Sequence, residues 1–144
     1  MGKVFELYRR AAAGNGDTGT PVPRPLFMME SGALWNDDNI LRAEVTVLNY
    51  GTADGYFNVS FTGSRTITGG DRDGDVYNLS FNNPGQTFLK SGERTTVYGT
   101  ASLNAIAGER GTAEVEMTLS APGRPNQKGA LEGPWQFIGI GTGD

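Results

Sequence analysis

The chain has 144 residues, 22 of them Gly, with no Cys and no His, and a formal net charge of −4. That length suits a single domain, one that can bury enough surface to fold without a disulfide or a structural metal. With His and Cys missing there is no Ser-His-Asp triad, no Cys-His dyad, no zinc site of the usual kind, no iron–sulfur cluster and no His-ligated haem.

Acidic and basic residues are interspersed, so there is no basic stripe of the kind a nucleic-acid binder shows. No apolar run approaches the ~20 residues that span a membrane. Met1–Arg10 carries Lys3, Glu6, Arg9 and Arg10 and has no apolar stretch that would read as a secretory signal. Synthesis in a host cytoplasm is expected.

In chain order, Val4–Tyr8 reads as a short strand or one helical turn. Ala11–Ala13 could extend a helix, which Gly14-Asn15-Gly16-Asp17 would stop. Thr20-Pro21-Val22-Pro23-Arg24-Pro25 is expected to be extended and polyproline-like, because alternating prolines fix φ and remove backbone donors. Leu26–Met29 and Leu34-Trp35 are too apolar for a free linker and should pack on something.

Period-2 alternation dominates the middle. Ala43, Val45 and Val47 alternate with Glu44 and Thr46; Phe57, Val59 and Phe61 with Asn58 and Ser60; Tyr77, Leu79 and Phe81 with Asn78 and Ser80; Ala113, Val115, Met117 and Leu119 with Glu114, Glu116 and Thr118. One apolar and one polar face is the pattern of antiparallel strands packed on one side. Gln86–Leu89 and Thr95–Tyr98 add two β-rich runs. Gly-rich turns between these runs, at Asn49-Tyr50-Gly51, Gly69-Gly70, Asn83-Pro84-Gly85 and Ser91-Gly92, complete the signature of a β-sandwich. The echo of Phe57–Phe61 in Tyr77–Phe81 suggests two strands with the same packing role.

Ala43–Asp54, with its Val45-Thr46-Val47-Leu48-Asn49-Tyr50-Gly51-Thr52-Ala53 core, resembles a stretch of bacterial immunoglobulin-like modules of the CARDB type. Leu89–Val97 resembles their turn and following strand, and Gly111–Met117 their last strand. The resemblance implies an all-β, immunoglobulin-like antiparallel β-sandwich. Such modules occur on surface and extracellular proteins, and related sandwiches recur in virion proteins. The expected organisation is an N-terminal arm over 1–39, the sandwich over 40–121 and a C-terminal arm over 122–144. Within the last, Gly133–Gly141 reads as an edge strand suited to strand addition.

Asp71, Asp73 and Asp75 form the sharpest acidic cluster and the one calcium candidate. As an EF-hand loop it fails, with Val76 at the Gly position and Asn82 at the Glu position, so a solvated hairpin tip is the simpler reading. Glu114 and Glu116 share one strand face and read as ordinary surface acids rather than a hydrolytic pair. Trp35, Tyr50, Tyr56 and Trp135 would serve either a sugar platform or closure of the sandwich edges.

The expected function is non-enzymatic and needs no cofactor. It is that of a virion structural protein, a phage capsid decoration or cement protein. Its arms would clamp the major capsid protein, other virion subunits or further copies of itself through Phe27, Trp35, Trp135, Phe137 and Ile138. The alternative is a tail, fibre or adhesin-like module recognising a host-surface glycan or protein. No membrane or nucleic-acid partner is expected.

Overall fold

The computed structural model describes residues 4–8, for which only the backbone is considered, and 22–139. Where the sequence alternates, the chain is extended and buries every second side chain. Ile40–Asn49 (β3) buries Leu41, Ala43, Val45, Val47 and Asn49; Gly55–Ile67 (β4) buries Phe57, Val59, Phe61, Arg65 and Ile67; Arg110–Ser120 (β9) buries the odd-numbered positions from Gly111 to Leu119. The other strands are Val4–Tyr8 (β1), Phe27–Asp37 (β2), Val76–Leu79 (β5), Phe81–Asn82 (β6), Gln86–Leu89 (β7), Arg94–Ser102 (β8) and Gln127–Gln136 (β10).

They form two antiparallel sheets. One runs β1-β10-β9-β4-β5, with β7 on the same edge of β4 as β5; the other runs β2-β3-β8-β6. The core lies between them, built around Phe57, Phe61, Met29, Leu34, Met117, Leu131 and Trp135. At Gly99 of β8 the sheets leave no room for a side chain, because a β-carbon there would run into the ring of Phe61 on β4. The fold is thus an all-β, immunoglobulin-like sandwich.

The strands reach well beyond 40–121. Phe27–Asp37, expected within an arm, is a full strand of one sheet, and Gln127–Gln136, expected within the other arm, lies between β1 and β9 in the other sheet. β10 is interior where β1 pairs with it, over Lys128–Glu132, whereas Gly133–Gln136, within the expected edge segment, has no strand partner on that side among the described residues. Of the two readings of Val4–Tyr8, the backbone adopts the strand. Val22–Leu26 has no regular secondary structure; the rest of the expected polyproline stretch and the Ala11–Asp17 segment lie outside the described residues.

Two irregularities explain why alternation was a partial guide. β2 carries a bulge between Met29 and Ser31, so its buried set passes from Phe27 and Met29 to Gly32 and Leu34. The extra residue flips the parity and keeps both halves facing the core. Second, Tyr77–Phe81 is not one strand. Tyr77 and Leu79 pair with β4 in one sheet, whereas Phe81 pairs with Ala101 of β8 in the other. The chain changes sheets at Ser80, so the echo of Phe57–Phe61 does not mark an equivalent strand.

At one end of the sandwich, the side chain of Asn49 ties four segments together. Its Oδ1 accepts from the backbone N–H groups of Leu26 (3.2 Å) and Gly51 (3.0 Å), and its Nδ2 donates to the carbonyls of Ala53 (2.9 Å) and Leu89 (3.1 Å). It is fully buried. Replacing it leaves both partner N–H groups and carbonyls unpaired. Asn49→Ala is expected to cost about 2–4 kcal/mol, read as a lower urea midpoint at an unchanged m-value.

Candidate functional site

Three regions of the sandwich stand out among the described residues, two flanks and one end. The first is the flank where β2 and β10 meet. There the Asn36 amide treats Gln136 as a strand partner: Nδ2 donates to the Gln136 carbonyl at 2.7 Å and Oδ1 accepts its N–H at 3.2 Å. At the other end of the same flank, Gln127 Nε2 donates to the Phe27 carbonyl at 2.6 Å. The Phe137 N–H, in contrast, goes to Glu109 on the side of β9. Backbone groups alternate along a strand, so the even-numbered residues of β10 present theirs away from β9. β1 occupies that edge, from Val4 opposite Glu132 to Tyr8 opposite Lys128. Pairing stops short of Pro134, which has no N–H to offer.

The second region is the opposite flank. β6 covers β8 only at Thr100 and Ala101. Among the described residues, Arg94–Gly99 of β8 has no strand partner on the side away from β3. The corresponding gap on β4 is filled by a side chain, since Asn83 Oδ1 accepts the Phe61 N–H at 2.8 Å. Exposed aromatics lie on the outer faces of both sheets. Tyr98 is 55% exposed on the outer face of one sheet, and Tyr56 and Phe88, 50% and 46% exposed, meet with ring centroids 5.0 Å apart on the outer face of the other.

The third region is the end of the sandwich opposite Asn49. A cleft of about 790 Å³ is lined by Trp35, Asn36, Thr68, Arg110, Gly111, Pro134, Trp135 and Gln136. Gly111 is required in its wall, because a β-carbon there would overlap the Thr66 carbonyl. The Trp135 indole donates to the Thr112 carbonyl at 3.0 Å, which fixes the ring. Trp35 is half-buried and Arg110 exposed.

Beside the cleft lies a charged cluster. Arg65 points into the sandwich at 3% exposure, over the small residues Ala113 and Gly133 that follow it across the sheet. Its guanidinium carbon lies 4.8 Å from the Tyr77 ring centroid and 5.1 Å from that of Trp135. Nη2 reaches the Asn104 carbonyl at 3.4 Å, and Nη1 has no partner among the described residues. Burial, followed by repulsion from Arg72, lowers its pKa. Arg72 lies 5.4 Å from the same Tyr77 ring and grips Glu109 with two hydrogen bonds, 2.8 and 2.6 Å. Those bonds hold the Glu109 carboxyl down to about 2.

The residues expected to contact partners are distributed differently from the expectation. Phe27, its ring tilted against that of Phe57 at 5.0 Å between centroids, and Trp135 are buried in the chain's own core instead of standing out on arms. Phe137 packs against that core, Trp35 lines the cleft, and Ile138 is 67% exposed. Trp35 and Trp135 meet at the cleft, whereas Tyr50 and Tyr56 are not among its lining residues, so the four aromatics do not form one platform. Asp71, Asp73 and Asp75 are exposed and engaged separately: Asp73 accepts the Gly69 N–H and Asp75 accepts the Tyr77 hydroxyl. No cluster of three or more potential metal ligands occurs among the described residues. Glu114 and Glu116 lie on the outer face, Glu116 3.4 Å from Lys128. Asn36, Asn49, Arg65 and Gln127 were not anticipated. Single polar residues in β-rich runs carry no local mark of a cross-sheet partner.

No family model matches the chain, and no curated protein matches it. Among solved structures it is similar to the ASH/PapD-like domain 7 of human CEP192, with 14% identity over 90% of this chain and 97% of that one and a TM-score of 0.50. A second similarity is to the CsuC–CsuE chaperone–tip adhesion subunit pre-assembly complex from archaic chaperone-usher Csu pili of Acinetobacter baumannii, with 14% identity over 79% of this chain and 60% of that one and a TM-score of 0.40. At this identity the likeness is one of fold.

The Arg72–Glu109 pair gives a test of the cleft-side cluster. Glu109 titrates lower in the folded chain than the usual 4.5. Its contribution is therefore complete above that value and is lost as pH falls from there towards 2. Glu109→Gln is expected to flatten the decline of unfolding free energy across this window in urea titrations at stepped pH; an undiminished slope would show that the pair does not stabilise the fold.

Proposed function

We propose that this chain is a non-enzymatic structural module that works by protein–protein contact, in the setting of a virion shell, as a capsid decoration or cement protein. The observation that carries the reading is the asymmetry of the two flanks. One is sealed by β1 and by the Asn36 and Gln127 side chains. On the other, among the described residues, the Arg94–Gly99 edge of β8 has no strand partner, and Tyr98 of that strand is exposed. A long uncovered edge is ordinarily an aggregation hazard, and proteins that keep one use it for a partner strand. The exposed ring of Tyr98 on this strand would add burial to the backbone hydrogen bonds. The stretches that resemble CARDB-type modules fall on β3 and its loop, on the β7–β8 turn and β8, and on β9; the virion setting draws on the resemblance only through the related sandwiches of virion proteins.

Particles sedimented with the purified chain are expected to carry it down. Combining Tyr98→Lys with Phe88→Lys should weaken that association by roughly tenfold or more while the fold, read by circular dichroism, is kept. Recovery of the chain in the supernatant, or equal binding by the double variant, would count against the proposal.

A second reading, a module that recognises a host-surface glycan, draws on the cleft, where the Trp35 indole stands beside the Arg110, Gln136 and Thr68 side chains. An aromatic face beside planar polar groups suits a sugar ring. A glycan array probed with the parent chain and with Trp35→Ala separates the readings. Signal with the parent that disappears in the variant favours the cleft, and a blank array disfavours it.

A further inference from the structure

We propose that β1 is an exchangeable strand, and that the β10 edge of one copy is a docking site for β1 of a second copy of this chain. The inference deepens the assembly reading above and rests on its premise that sheet edges carry the contacts.

The occupant is defined by what already sits on the edge. β1 runs antiparallel to β10 over five positions, Val4 opposite Glu132, Phe5 opposite Leu131, Glu6 opposite Ala130, Leu7 opposite Gly129 and Tyr8 opposite Lys128. Outward-facing backbone groups on β10 are those of Lys128, Ala130 and Glu132, and Pro134 ends the run. The site is therefore short, with its register set at one end by a missing donor. A segment of identical sequence fits it identically, whichever copy supplies it.

Chain length makes the second copy reachable. β1 ends at Tyr8 beside Lys128, and the next strand starts at Phe27, whose carbonyl is bonded to the Gln127 side chain. Pairing within one copy thus asks the connecting chain to span only about 10–15 Å, a few inter-strand spacings. Arg24–Leu26 is already held to the sandwich by hydrogen bonds with Thr52, Tyr50 and Asn49, so the connecting length is residues 9–23, which reaches at most about 50 Å when extended. The folded module has a diameter of only roughly 35 Å by the scaling for its size. The tether exceeds the need within one copy several-fold and exceeds the breadth of the module itself. Pairing within and between copies makes the same backbone hydrogen bonds, so the local concentration of chains decides between them. An ordered array of copies raises that concentration in a way that dilute solution does not.

The chain has no Cys, so single cysteines report pairing without background. Paired antiparallel positions lie within disulfide reach. One population carries Glu6→Cys, the other Ala130→Cys, and the two are mixed and oxidised. The expected result is a covalent heterodimer whose yield rises with chain concentration, far above that of Glu6→Cys mixed with Tyr98→Cys, a position on the far sheet. A chain carrying both Glu6→Cys and Ala130→Cys should close within itself when dilute. Tyr8→Cys with Lys128→Cys repeats the experiment at a second position, should either substitution disturb the fold. The proposal is overturned if the doubly substituted chain closes internally while the mixtures never exceed the Tyr98→Cys control. It is equally overturned if no pairing forms in either arrangement. The cross-link is read without particles, so its failure stands apart from failure to bind a shell.

Discussion

Two side-chain amides hold the edge strand of one sheet against β10 of the other, and the character of the molecule follows from that latch. Asn36 bonds the Gln136 backbone as donor and acceptor, and Gln127 reaches the Phe27 carbonyl at the other end of the same flank. A face-to-face sandwich has no backbone hydrogen bonds between its sheets, so its flanks are natural points of weakness. Here one flank is stitched, and among the described residues the other leaves part of β8 without a strand partner. The stitched side carries a strand from the N-terminal end of the chain, and the other carries the exposed ring of Tyr98.

The two ends of the sandwich are also unlike. One is closed by a single buried amide, Asn49, whose four side-chain hydrogen bonds fix the entry to β2, the loop after β3 and the end of β7. The other holds a buried guanidinium, Arg65, between aromatic rings, with Arg72 and Glu109 paired beside it. A buried cation is costly unless its environment compensates it. The faces of Tyr77 and Trp135 supply part of that compensation, and the Asn104 carbonyl supplies a hydrogen bond. The small residues Ala113 and Gly133 make space for a long side chain on an inward-facing position. The cleft opens on the other side of Trp135, so the same ring serves as core, cation partner and cleft wall.

Much of the sheet structure was legible in the residues. β3, β4 and β9 alternate cleanly because each has one buried and one solvated face. β2 and β10 were not recognised as strands of the sandwich, for separable reasons. In β2 the bulge moves the buried set from odd to even positions, which destroys a strict period of two. In β10 the inward positions Gly129 and Gly133 alternate with Leu131 and Trp135, so the apolar signal is weak, and Pro134 reads as a break. Pro is tolerated there because its missing donor faces the outer edge. The supposed anchors Phe27 and Trp135 were visible as apolar residues, but which surface they face was not.

What the sequence by itself determined is the all-β class, the position of most turns, and the exclusion of chemistry that depends on His or Cys. These are local or compositional properties: alternation reflects the pleat, Gly and Asn mark turns, and a missing residue type cannot be supplied by folding. Only the tertiary structure decided that both terminal segments complete the sheets, that the chain changes sheets at Ser80, and that Asn36, Asn49, Arg65 and Gln127 have their partners across the fold. Their bonds to Leu26, Asn104, Leu89, Gln136 and Phe27 join residues from 23 to 100 positions apart in the chain. A strand's own sequence states which of its faces is apolar, but the edge it presents and the strand that meets it are set by the rest of the chain.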